Sequence, residues 1–351
     1  MSARVAVVLT ARPSWAKLQP VVEALRAEDG LTVDLIATAY ALIHRFGSVA
    51  DDCEPDTTLW TAVDGNTLET SALTTALVTQ SCASYFRVTR PDVVLVCADR
   101  HETLGVCIAA SYQNIPLLHL QGGETSGNID HKVRWANSML SDAHAVATLE
   151  AGEALVKAGC TWVEHTGCPS IDVALRSLGD PPVTAEELWM HGIGAAVDPE
   201  QPFTLVLQHP ETAHPERAYD QMIEAITVAA EQGHPLVVFW PGADAGVTES
   251  AKWLRSARGD MRVIRHMEPT RFLRLLSQAE YAVGNSSALI REASSFGIPR
   301  TIMGERQKGR PYTQEASDLY GDGQATPRIV DMVKRMVGHE EAGDAGQSST
   351  P

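Results

Sequence analysis

The sequence predicts an α/β fold with two domains, each built on a β-sheet of parallel strands. Short continuous apolar runs, typical of strands buried in parallel sheets, alternate with segments of helical periodicity along most of the chain. The chain has 351 residues, more than one hydrophobic core usually organises. A Pro- and Gly-rich change in composition, predicted to be the interdomain linker, lies near 170–185. We therefore predict an N-terminal domain over 1–172 and a C-terminal domain over 173–325.

The N-terminal half begins with a strand, a tight loop and a helix. The first apolar run, 4–10, leads into a loop that carries two cations, Arg12 and Lys17, beside the start of the helix. Such a unit can bind an anion, although two solvated charges near a helix start would give the same pattern. The further elements predicted in this half are strands at 32–38, 92–98, 114–118, 143–148 and 163–167, and helices at 66–88, 104–113 and 132–140.

Carboxylates follow two consecutive strands of this half. Asp99 comes after one apolar strand, and Glu124 and Asp130 lie in the Gly-rich segment 119–130 after the next. Because consecutive strands are usually neighbours, we expect Asp99 and Glu124 on one rim of the sheet. Ligands of open α/β sheets bind at the carboxyl ends of the strands. The pattern favours a ligand site, with helix capping by Asp99 and an ordinary loop as the alternatives.

The C-terminal half repeats the alternation and ends in an amphipathic helix. Strands are predicted at 203–207, 235–240, 261–264 and 282–284, and helices at 215–232, 270–278 and 288–296. An apolar face at helical spacing predicts a last helix over 326–339. The Gly-, Ser- and Glu-rich residues 340–351 predict a disordered tail.

Polar residues of the C-terminal half suit a nucleoside diphosphate. Ser286 and Ser287 open a helix, where hydroxyls and free N–H groups can bind phosphate oxygens. Glu292 lies further along that helix, where a carboxylate can accept both hydroxyls of a ribose. Arg306 and Arg310 belong to the densest basic cluster of an acidic chain, which favours phosphate recognition. Helix capping by the serines and a surface position for Glu292 are the alternatives.

Charge and composition exclude several classes of partner. The formal net charge is −16, so a nucleic acid duplex would be repelled. We find no apolar run near the roughly 18 residues of a membrane span, and we expect no signal peptide. The six cysteines have no paired metal-ligand spacing, and several lie in apolar runs. That usage is typical of reduced core residues, so we expect a cytoplasmic protein without a metal site.

In the order and number of its motifs, the chain resembles the UDP-N-acetylglucosamine 2-epimerases, and in detail it is closer to their hydrolysing branch. The resemblance covers nearly the whole chain, from 10–13 to 320–325. It implies two Rossmann-like domains in the GT-B arrangement, an active site in the interdomain cleft, and a last helix that crosses back to the N-terminal domain. The segments that carry it are 97–103, 122–124 with Gly127, 129–130, 284–287, and 306–307 with 309–310.

The resemblance also implies roles for individual residues. The acid/base groups that it implies are Asp99, Asp130 and His209. The predicted catalytic set also includes Glu124, from the same rim, and His131, which is either a substitute base or a residue that only orients the substrate. The residues predicted to bind the substrate are Arg12, Lys17, Gln121 and Arg134 on the N-terminal side, and Phe272, Ser286, Ser287, Glu292, Arg306 and Arg310 on the C-terminal side. No cofactor is implied, and the implied partners are a UDP-sugar and a second copy of the chain in a homodimer.

Two positions depart from the family pattern. Gln121 stands where many relatives have Glu, and a glutamine cannot exchange protons near neutral pH. His131 stands where the hydrolysing branch usually has a second carboxylate, and a histidine can titrate in the useful range. The nucleotide-retaining branch has a Gln-His pair after its second strand, whereas residues 38–41 read Thr-Ala-Tyr-Ala. The resemblance therefore favours the hydrolysing reaction. The replacement of two family carboxylates by Gln121 and His131 weakens that inference.

The implied reaction is inversion of C2 of N-acetylglucosamine by elimination of UDP through a 2-acetamidoglucal. The hydrolysing branch gives N-acetylmannosamine and UDP. Three alternatives stay open: a nucleotide-retaining epimerase that gives UDP-N-acetylmannosamine, a GT-B glycosyltransferase, and a nucleotide-sugar binder without turnover.

Overall fold

Two parallel β-sheets flanked by helices make up the described chain in the computed structural model. The structure describes residues 2–344 except 45–48, 66, 127–128, 243 and 257–260. Each sheet with its helices is a Rossmann-like unit, which confirms the predicted α/β class with two such domains. Gly127 of the sequence motifs and residues 345–351 lie outside the described residues.

The N-terminal sheet is wholly parallel. Its strands are β1 (Ala3–Leu9), β2 (Leu31–Thr38), β3 (Thr57–Leu59), β4 (Val93–Cys97), β5 (Leu117–Leu120), β6 (Ala143–Val146) and β7 (Trp162–His165). They lie in the order β3-β2-β1-β4-β5-β6-β7. Its helices are α1 (Arg12–Arg26), α2 (Ala50–Cys53), α3 (Leu68–Thr89), α4 (His101–Ser111), α5 (Ile129–Met139) and α6 (Leu149–Lys157).

Strands β4 and β5 are hydrogen-bonded neighbours, with Cys97 opposite Leu120. Both strands are completely buried, as their continuous apolar sequences predict for a sheet covered on both faces. Because they are parallel, the segments that begin at Ala98 and Gln121 leave the sheet at the same rim. The predicted common rim for Asp99 and Glu124 is therefore confirmed.

The C-terminal sheet is parallel except at one edge. Its strands are β8 (Gly192–Gly194), β9 (Thr204–Leu207), β10 (Leu236–Phe239), β11 (Met261–Ile264), β12 (Tyr281–Gly284) and β13 (Arg300–Ile302), in the order β13-β12-β9-β10-β11-β8. Strand β8 pairs with β11 in the antiparallel sense. The remaining helices are α7 (Pro169–Ser177), α8 (Ala185–His191), α9 (Ala218–Ala230), α10 (Val247–Ser256), α11 (Pro269–Gln278), α12 (Ser287–Ile290), α13 (Glu292–Phe296) and α14 (Ala325–Asp344).

Helix α7 lies within the segment predicted as a linker. It is a largely buried element that packs against α1 and α14 and also against α11 and α13. Its Asp172 accepts hydrogen bonds from the backbone N–H groups of Ala325 and Thr326, at 3.1 and 2.6 Å. Because these are the first residues of α14, the carboxylate satisfies N–H groups that a helix start leaves unpaired. The connection between the domains is therefore a packed helix at this point.

Helix α14 crosses back to the N-terminal domain, as the resemblance implies. Ile329, Met332 and Val333 are completely buried in the same hydrophobic cluster as β1 and α1. The helix continues to Asp344, so the first part of the range predicted as a tail is helical. Within the described residues, no helix has both the length and the apolar character that crossing a membrane would require.

Candidate active site

Two adjoining cavities occupy the cleft between the domains, at the carboxyl ends of both sheets. The first, which we call the polar cavity, measures about 750 Å³ including space open to solvent. The second, the apolar cavity, measures about 880 Å³ on the same basis. Both are lined by Lys17 of the N-terminal domain and by His209, Ser286 and Ser287 of the C-terminal domain. One ligand can therefore extend from one cavity into the other.

Most of the predicted site residues line these cavities. Those on the polar cavity are Lys17, Asp99, Asp130, His209, Ser286, Ser287, Arg306 and Arg310. The apolar cavity adds Arg12, Phe272 and Glu292. Gln121, Glu124, His131 and Arg134 line neither cavity.

Asp99 lies at the polar cavity between two arginines. It forms ion pairs with Arg134 of α5 and with Arg310 of the C-terminal domain, the second at 3.5 Å. The residue before it, Ala98, has a left-handed backbone with φ of +66°. Few non-glycine residues adopt this conformation, so the turn that aims Asp99 at the cavity is strained.

Glu124 is buried behind the cavity wall as the counter-ion of two arginines. Both of its carboxylate oxygens accept hydrogen bonds from Arg291, at 2.5 and 2.6 Å, and Arg310 lies 3.1 Å away. Burial alone would raise the pKa of Glu124, but Arg291 and Arg310 outweigh it and leave this pKa below its usual value. Glu124 is therefore ionised, and both of its oxygens are bound by arginines. Its predicted catalytic role stays a prediction.

Arg134, predicted to bind substrate, is completely enclosed by protein. Its guanidinium donates to the carbonyl of Glu124 at 2.8 Å and to the hydroxyl of Ser126 at 3.3 Å, in addition to its ion pair with Asp99. Burial, and then the neighbouring charges of Arg310 and Arg291, lower the pKa of Arg134 well below the usual arginine value. Arg134 therefore holds the carboxylate of Asp99 from the protein interior and does not itself face a cavity.

The polar cavity has more cationic groups than its carboxylates satisfy. The Nε–H groups of Arg291 and Arg306, two residues that line this cavity, are buried and have no hydrogen-bond acceptor among the described residues. Buried polar groups are nearly always hydrogen-bonded, because an unpaired one loses its interaction with water. These groups therefore favour a ligand rich in oxygen acceptors and negative charge, such as a diphosphate.

The helix predicted over 288–296 is broken at Arg291. This residue separates α12 from α13 and has φ of −96° and ψ of −72°. Ser286 caps α12, and its hydroxyl accepts a hydrogen bond from the N–H of Ala288 at 3.3 Å. Because α12 has a single turn, arginines supply more of the positive charge here than a helix dipole does.

His209 faces both cavities as a neutral imidazole. Its Nδ1 accepts a hydrogen bond from the N–H of Gly242 at 2.9 Å, so the proton of the neutral ring is on Nε2. Burial, followed by the charge of Arg306, lowers the pKa of His209 to about 3. Its backbone is fixed by the side chain of Asn285, which bonds both the N–H and the carbonyl of His209 at 2.8 Å. His209 can therefore donate a hydrogen bond from Nε2 at neutral pH.

A second charged network, not predicted from the sequence, crosses the cleft. Arg100 binds the buried Glu102 of its own domain and reaches Asp244 of the other domain at 2.8 Å. Arg306 contacts Asp244 at 3.4 Å. Burial would raise the pKa of Asp244, but Arg100 and Arg306 together lower it to about 2. Asp244 follows strand β10, so the rule of carboxylates at strand ends could have identified it.

Several contacts close the cleft from end to end. They include pairs of ionisable side chains and one bond from a guanidinium to a backbone carbonyl. The bridging pairs include Glu124 with Arg291, Arg310 with Asp99 and Glu124, Arg100 with Asp244, Asp52 with His266, and Arg12 with the carbonyl of Arg265. The described arrangement is therefore a closed one, with the cavities enclosed between the domains.

Besides Glu124 and Arg134, two further predicted residues line neither cavity. Gln121 is buried, has φ of +65°, and donates a hydrogen bond to the sulfur of Cys168 at 2.8 Å. His131 packs edge-on against Trp135 of the same helix, with ring centroids 6.3 Å apart. Their roles in binding and catalysis stay predictions.

The apolar cavity has an aromatic wall and one open carboxylate. Phe272 packs edge-on against Phe239, with centroids 5.1 Å apart, and Trp240 lies beside them. The Oε2 atom of Glu292 is buried and has no hydrogen-bond partner among the described residues. An aromatic wall suits a flat ring, and a free carboxylate oxygen suits a hydroxyl donor. Among the described residues, no group of three or more His, Cys, Asp or Glu is placed to hold a metal ion.

Comparisons with known proteins agree with this geometry. The model of the UDP-N-acetylglucosamine 2-epimerase family matches residues 23–314. The chain is similar to the UDP-N,N'-diacetylbacillosamine 2-epimerase (hydrolyzing) of Legionella pneumophila, with 24% identity over 97% of this chain and 98% of that protein. It is also similar to a UDP-N-acetylglucosamine 2-epimerase of Neisseria meningitidis, with 25% identity over 88% of this chain and 81% of that protein.

Solved structures show the same fold. The crystal structure of UDP-GlcNAc 2-epimerase from Neisseria meningitidis bound to UDP-GlcNAc superposes with a TM-score of 0.78, at 20% identity, over 95% of this chain and 100% of that chain. The UDP-GlcNAc 2-epimerase of Methanocaldococcus jannaschii gives a TM-score of 0.76 at 16% identity, over 95% of this chain and 99% of that chain. Since the family model spans most of the sequence and the relatives align over nearly its full length, the chain belongs to the UDP-N-acetylglucosamine 2-epimerase family.

Proposed function

We propose that this protein is a hydrolysing UDP-N-acetylglucosamine 2-epimerase that releases N-acetylmannosamine and UDP. One observation carries the proposal: the carboxylates Asp99 and Asp130 share a cavity with an excess of buried arginines, and this cavity opens into one with an aromatic wall. The reaction needs proton transfer at a sugar carbon beside a departing diphosphate, so it requires both features side by side.

The diphosphate is assigned to the boundary between the two cavities. Ser286 and Ser287 line both cavities there, and Arg306 and Arg310 reach the polar one from the C-terminal domain. Negative charge accumulates on the departing diphosphate during elimination, so guanidinium donors already in place stabilise the transition state. The Nε2–H of His209 is a further donor on the same wall.

The uridine is assigned to the apolar cavity. Phe272 provides an aromatic surface for the uracil ring, and the open Oε2 of Glu292 accepts the ribose hydroxyls. Arg12 lies at the N-terminal side of this cavity. The sugar is then left in the polar cavity, beside Asp99 and Asp130.

The proposed chemistry begins at C2 of the bound sugar. Asp99 takes the C2 proton, the electrons of that bond form the C1–C2 double bond, and the C1–oxygen bond breaks with its electrons leaving on UDP. Water then adds to the 2-acetamidoglucal: its oxygen bonds C1, an acid on the opposite face gives its proton to C2, and the proton that the water loses restores that acid. Asp130, on helix α5, is the candidate for this second proton transfer. A closed cleft keeps bulk water from the intermediate until this step. The proton taken up by Asp99 passes to solvent.

The identity of the sugar is part of the proposal. The Legionella relative is named for a diacetylbacillosamine substrate and the Neisseria relative for N-acetylglucosamine. We assign UDP-N-acetylglucosamine because the motif order resembles that family throughout, and the diacetylated sugar is the competing substrate. Both nucleotide sugars belong in the same assay.

The test is turnover in deuterated water, with NMR of C2 and separate quantification of free UDP. The proposal requires deuterium at C2 and free UDP in equal amount to the released sugar. If no deuterium enters C2 of UDP-N-acetylglucosamine and none enters C2 of the diacetylated sugar, the protein is not an epimerase of these substrates. Deuterium with the nucleotide still attached would leave an epimerase of the nucleotide-retaining type. Transfer of the sugar to an added acceptor would indicate a glycosyltransferase, and calorimetric binding without turnover would indicate a binding protein.

We further propose that the protein works as a homodimer in the cytoplasm. Large apolar side chains are exposed along α3, among them Leu68, Leu73 and Leu77, and a face of this kind is typical of subunit contacts. Light scattering after gel filtration should give twice the mass of the chain. A mass of one chain at working concentration would overturn the dimer.

A further inference from the structure

The left-handed turn at Ala98 is held by side chains from two other elements. The carbonyl oxygen of Ala98 lies 2.8 Å from Nε2 of His119 on β5 and 3.2 Å from Nδ2 of Asn137 on α5. Because a carbonyl only accepts, both nitrogens donate to it. The neutral His119 ring therefore carries its proton on Nε2, and its Nδ1 accepts from the hydroxyl of Ser138 at 3.0 Å.

The three side chains of this clamp (His119, Asn137 and Ser138) are completely buried. They form a chain of hydrogen bonds that ends on one backbone carbonyl. The remaining amide oxygen of Asn137 is buried without a hydrogen-bond partner among the described residues. A buried unpaired acceptor opposes folding, and an apolar side chain would avoid it. The presence of asparagine at position 137 is therefore explained by the hydrogen bond that it donates to Ala98, and not by packing in the core.

Space for the clamp depends on a glycine. A Cβ atom added at Gly122 would lie 2.6 Å from the hydroxyl oxygen of Ser138 and 3.0 Å from Nδ1 of His119. Any larger residue at 122 would push these two groups apart. Gly122 belongs to the Gly-rich segment 119–130, and the clamp explains why a residue without a side chain stands at this position.

The clamp joins the elements that carry the two cavity carboxylates. Asp99 directly follows Ala98, whereas Asp130, Arg134 and Asn137 lie four and then three residues apart on helix α5, which places them along one face. Fixing the Ala98 carbonyl to α5 therefore fixes Asp99 relative to both Asp130 and Arg134. Without the two bonds, a strained alanine would relax and turn the following side chain away.

We propose that His119 and Asn137 are positioning residues for Asp99, holding the Ala98 peptide in the conformation that aims this carboxylate at C2 of the sugar. The inference rests on the proposed function of Asp99 in taking the C2 proton. It assigns a role to buried groups of β5 and α5 that touch neither cavity.

The experiment compares Asn137→Ala and His119→Phe with the wild type. Both variants should lose roughly 10- to 100-fold in kcat, since misplacement by about 1 Å has this effect. The dissociation constant of UDP should stay unchanged, because the uridine and diphosphate contacts lie elsewhere. The kinetic isotope effect with substrate deuterated at C2 should rise, since proton transfer becomes slower. A loss of folded protein alone would lower kcat without raising the isotope effect.

A matched control and a rescue separate positioning from general damage. His144→Phe removes a second buried imidazole, opposite His119 in the strand pairing, without touching Ala98, and it should leave kcat unchanged. Adding Ala98→Gly to Asn137→Ala should restore part of the activity, because glycine adopts the left-handed conformation without strain.

The inference and the proposed function can fail separately. A wild-type enzyme that exchanges the C2 proton, together with clamp variants of equal kcat and isotope effect, would overturn the clamp alone. No C2 exchange by the wild type would overturn the proposed function. In that case a crystal structure of Asn137→Ala still decides the clamp: an unchanged Ala98 φ and Asp99 position would refute it, and a rotated Asp99 would support it.

Discussion

The carboxylate of Glu124 and the guanidinium of Arg291 meet at 2.5 Å across the boundary between the two domains, and both side chains are almost fully buried. Their sequence separation is 167 residues. A buried pair of this kind is not strongly stabilising against an apolar alternative, but it becomes costly when one partner is removed. The pair therefore makes the closed arrangement of the domains depend on both charges being present.

Glu124→Gln should lower the free energy of unfolding by about 3–5 kcal/mol, because it leaves the buried guanidinium of Arg291 without its counter-ion. Urea denaturation of the wild type and the variant measures the difference. Glu164→Gln is the matched control, since Glu164 pairs with Arg335 at the surface, at 2.7 Å. The control should change stability little, because exposed ion pairs contribute little. An equal decrease in the free energy of unfolding in both variants would show that the burial of the Glu124–Arg291 pair does not determine its contribution to stability.

His209 should act as a hydrogen-bond donor and not as a base that titrates near neutral pH. Its lowered pKa of about 3 and the bond from Gly242 to Nδ1 leave the proton on Nε2. We therefore expect His209→Ala to lose about 10²–10³-fold in kcat, the usual effect of removing a donor from a developing negative charge. His209→Gln, whose amide can still donate, should lose less.

The pH–rate profile provides the deciding measurement for His209. Any acidic limb of kcat/KM between pH 5 and pH 7 should persist in His209→Gln, because the histidine does not titrate in that range. Disappearance of such a limb in the variant would identify His209 as the titrating group and contradict the assignment.

Much of the scaffold could be predicted from the sequence because buried parallel strands have a strong local signal. The apolar runs that became β4 and β5 predict both their burial and their adjacency, so Asp99 and Glu124 were correctly expected on one rim. The amphipathic pattern of α14 predicts a packed helix. Strand β8 has only three residues and two of them are glycines, so it has no apolar run to recognise.

The charge pairing of the site could not be predicted, because it arises between segments that meet only when the domains close. Arg100 and Asp244 are 144 residues apart in sequence, and nothing near either residue indicates the other. Arg291 lies in a segment with an ordinary helical pattern, and its partner Glu124 is in the other domain. For the same reason, the sequence at a strand end does not reveal whether a carboxylate lines the polar cavity, as that of Asp99 does, or meets an arginine behind the wall, as that of Glu124 does.

Three buried histidines should make the fold sensitive to mild acid. Burial lowers the pKa of His119 and His144 to about 4, and that of His209 to about 3. In the unfolded chain these groups titrate near pH 6.5, so below that pH the unfolded state binds protons that the folded state does not. Stability should therefore fall as the pH drops from about 6.5 towards 4, by roughly 2 kcal/mol per histidine at pH 5.

Urea denaturation at pH 7 and pH 5 measures this loss. His144→Phe should reduce the loss by the share of one histidine, since phenylalanine has no proton to bind. A wild type with the same free energy of unfolding at both pH values would contradict the neutral state assigned to these rings.

Ser287→Ala and Arg310→Ala should weaken UDP binding more than they slow C2 chemistry in the bound substrate. Loss of one neutral hydrogen bond corresponds to a dissociation constant about 5-fold higher, and loss of a charged one to about 10- to 100-fold. Lys308→Ala is the matched control, because Lys308 belongs to the same basic segment but is exposed and paired with Glu305 at 2.5 Å. Calorimetry with UDP gives the affinity, and C2 deuterium exchange at saturating substrate gives the chemistry. Unchanged UDP affinity in both site variants, or an equal loss in Lys308→Ala, would move the diphosphate away from the boundary between the cavities.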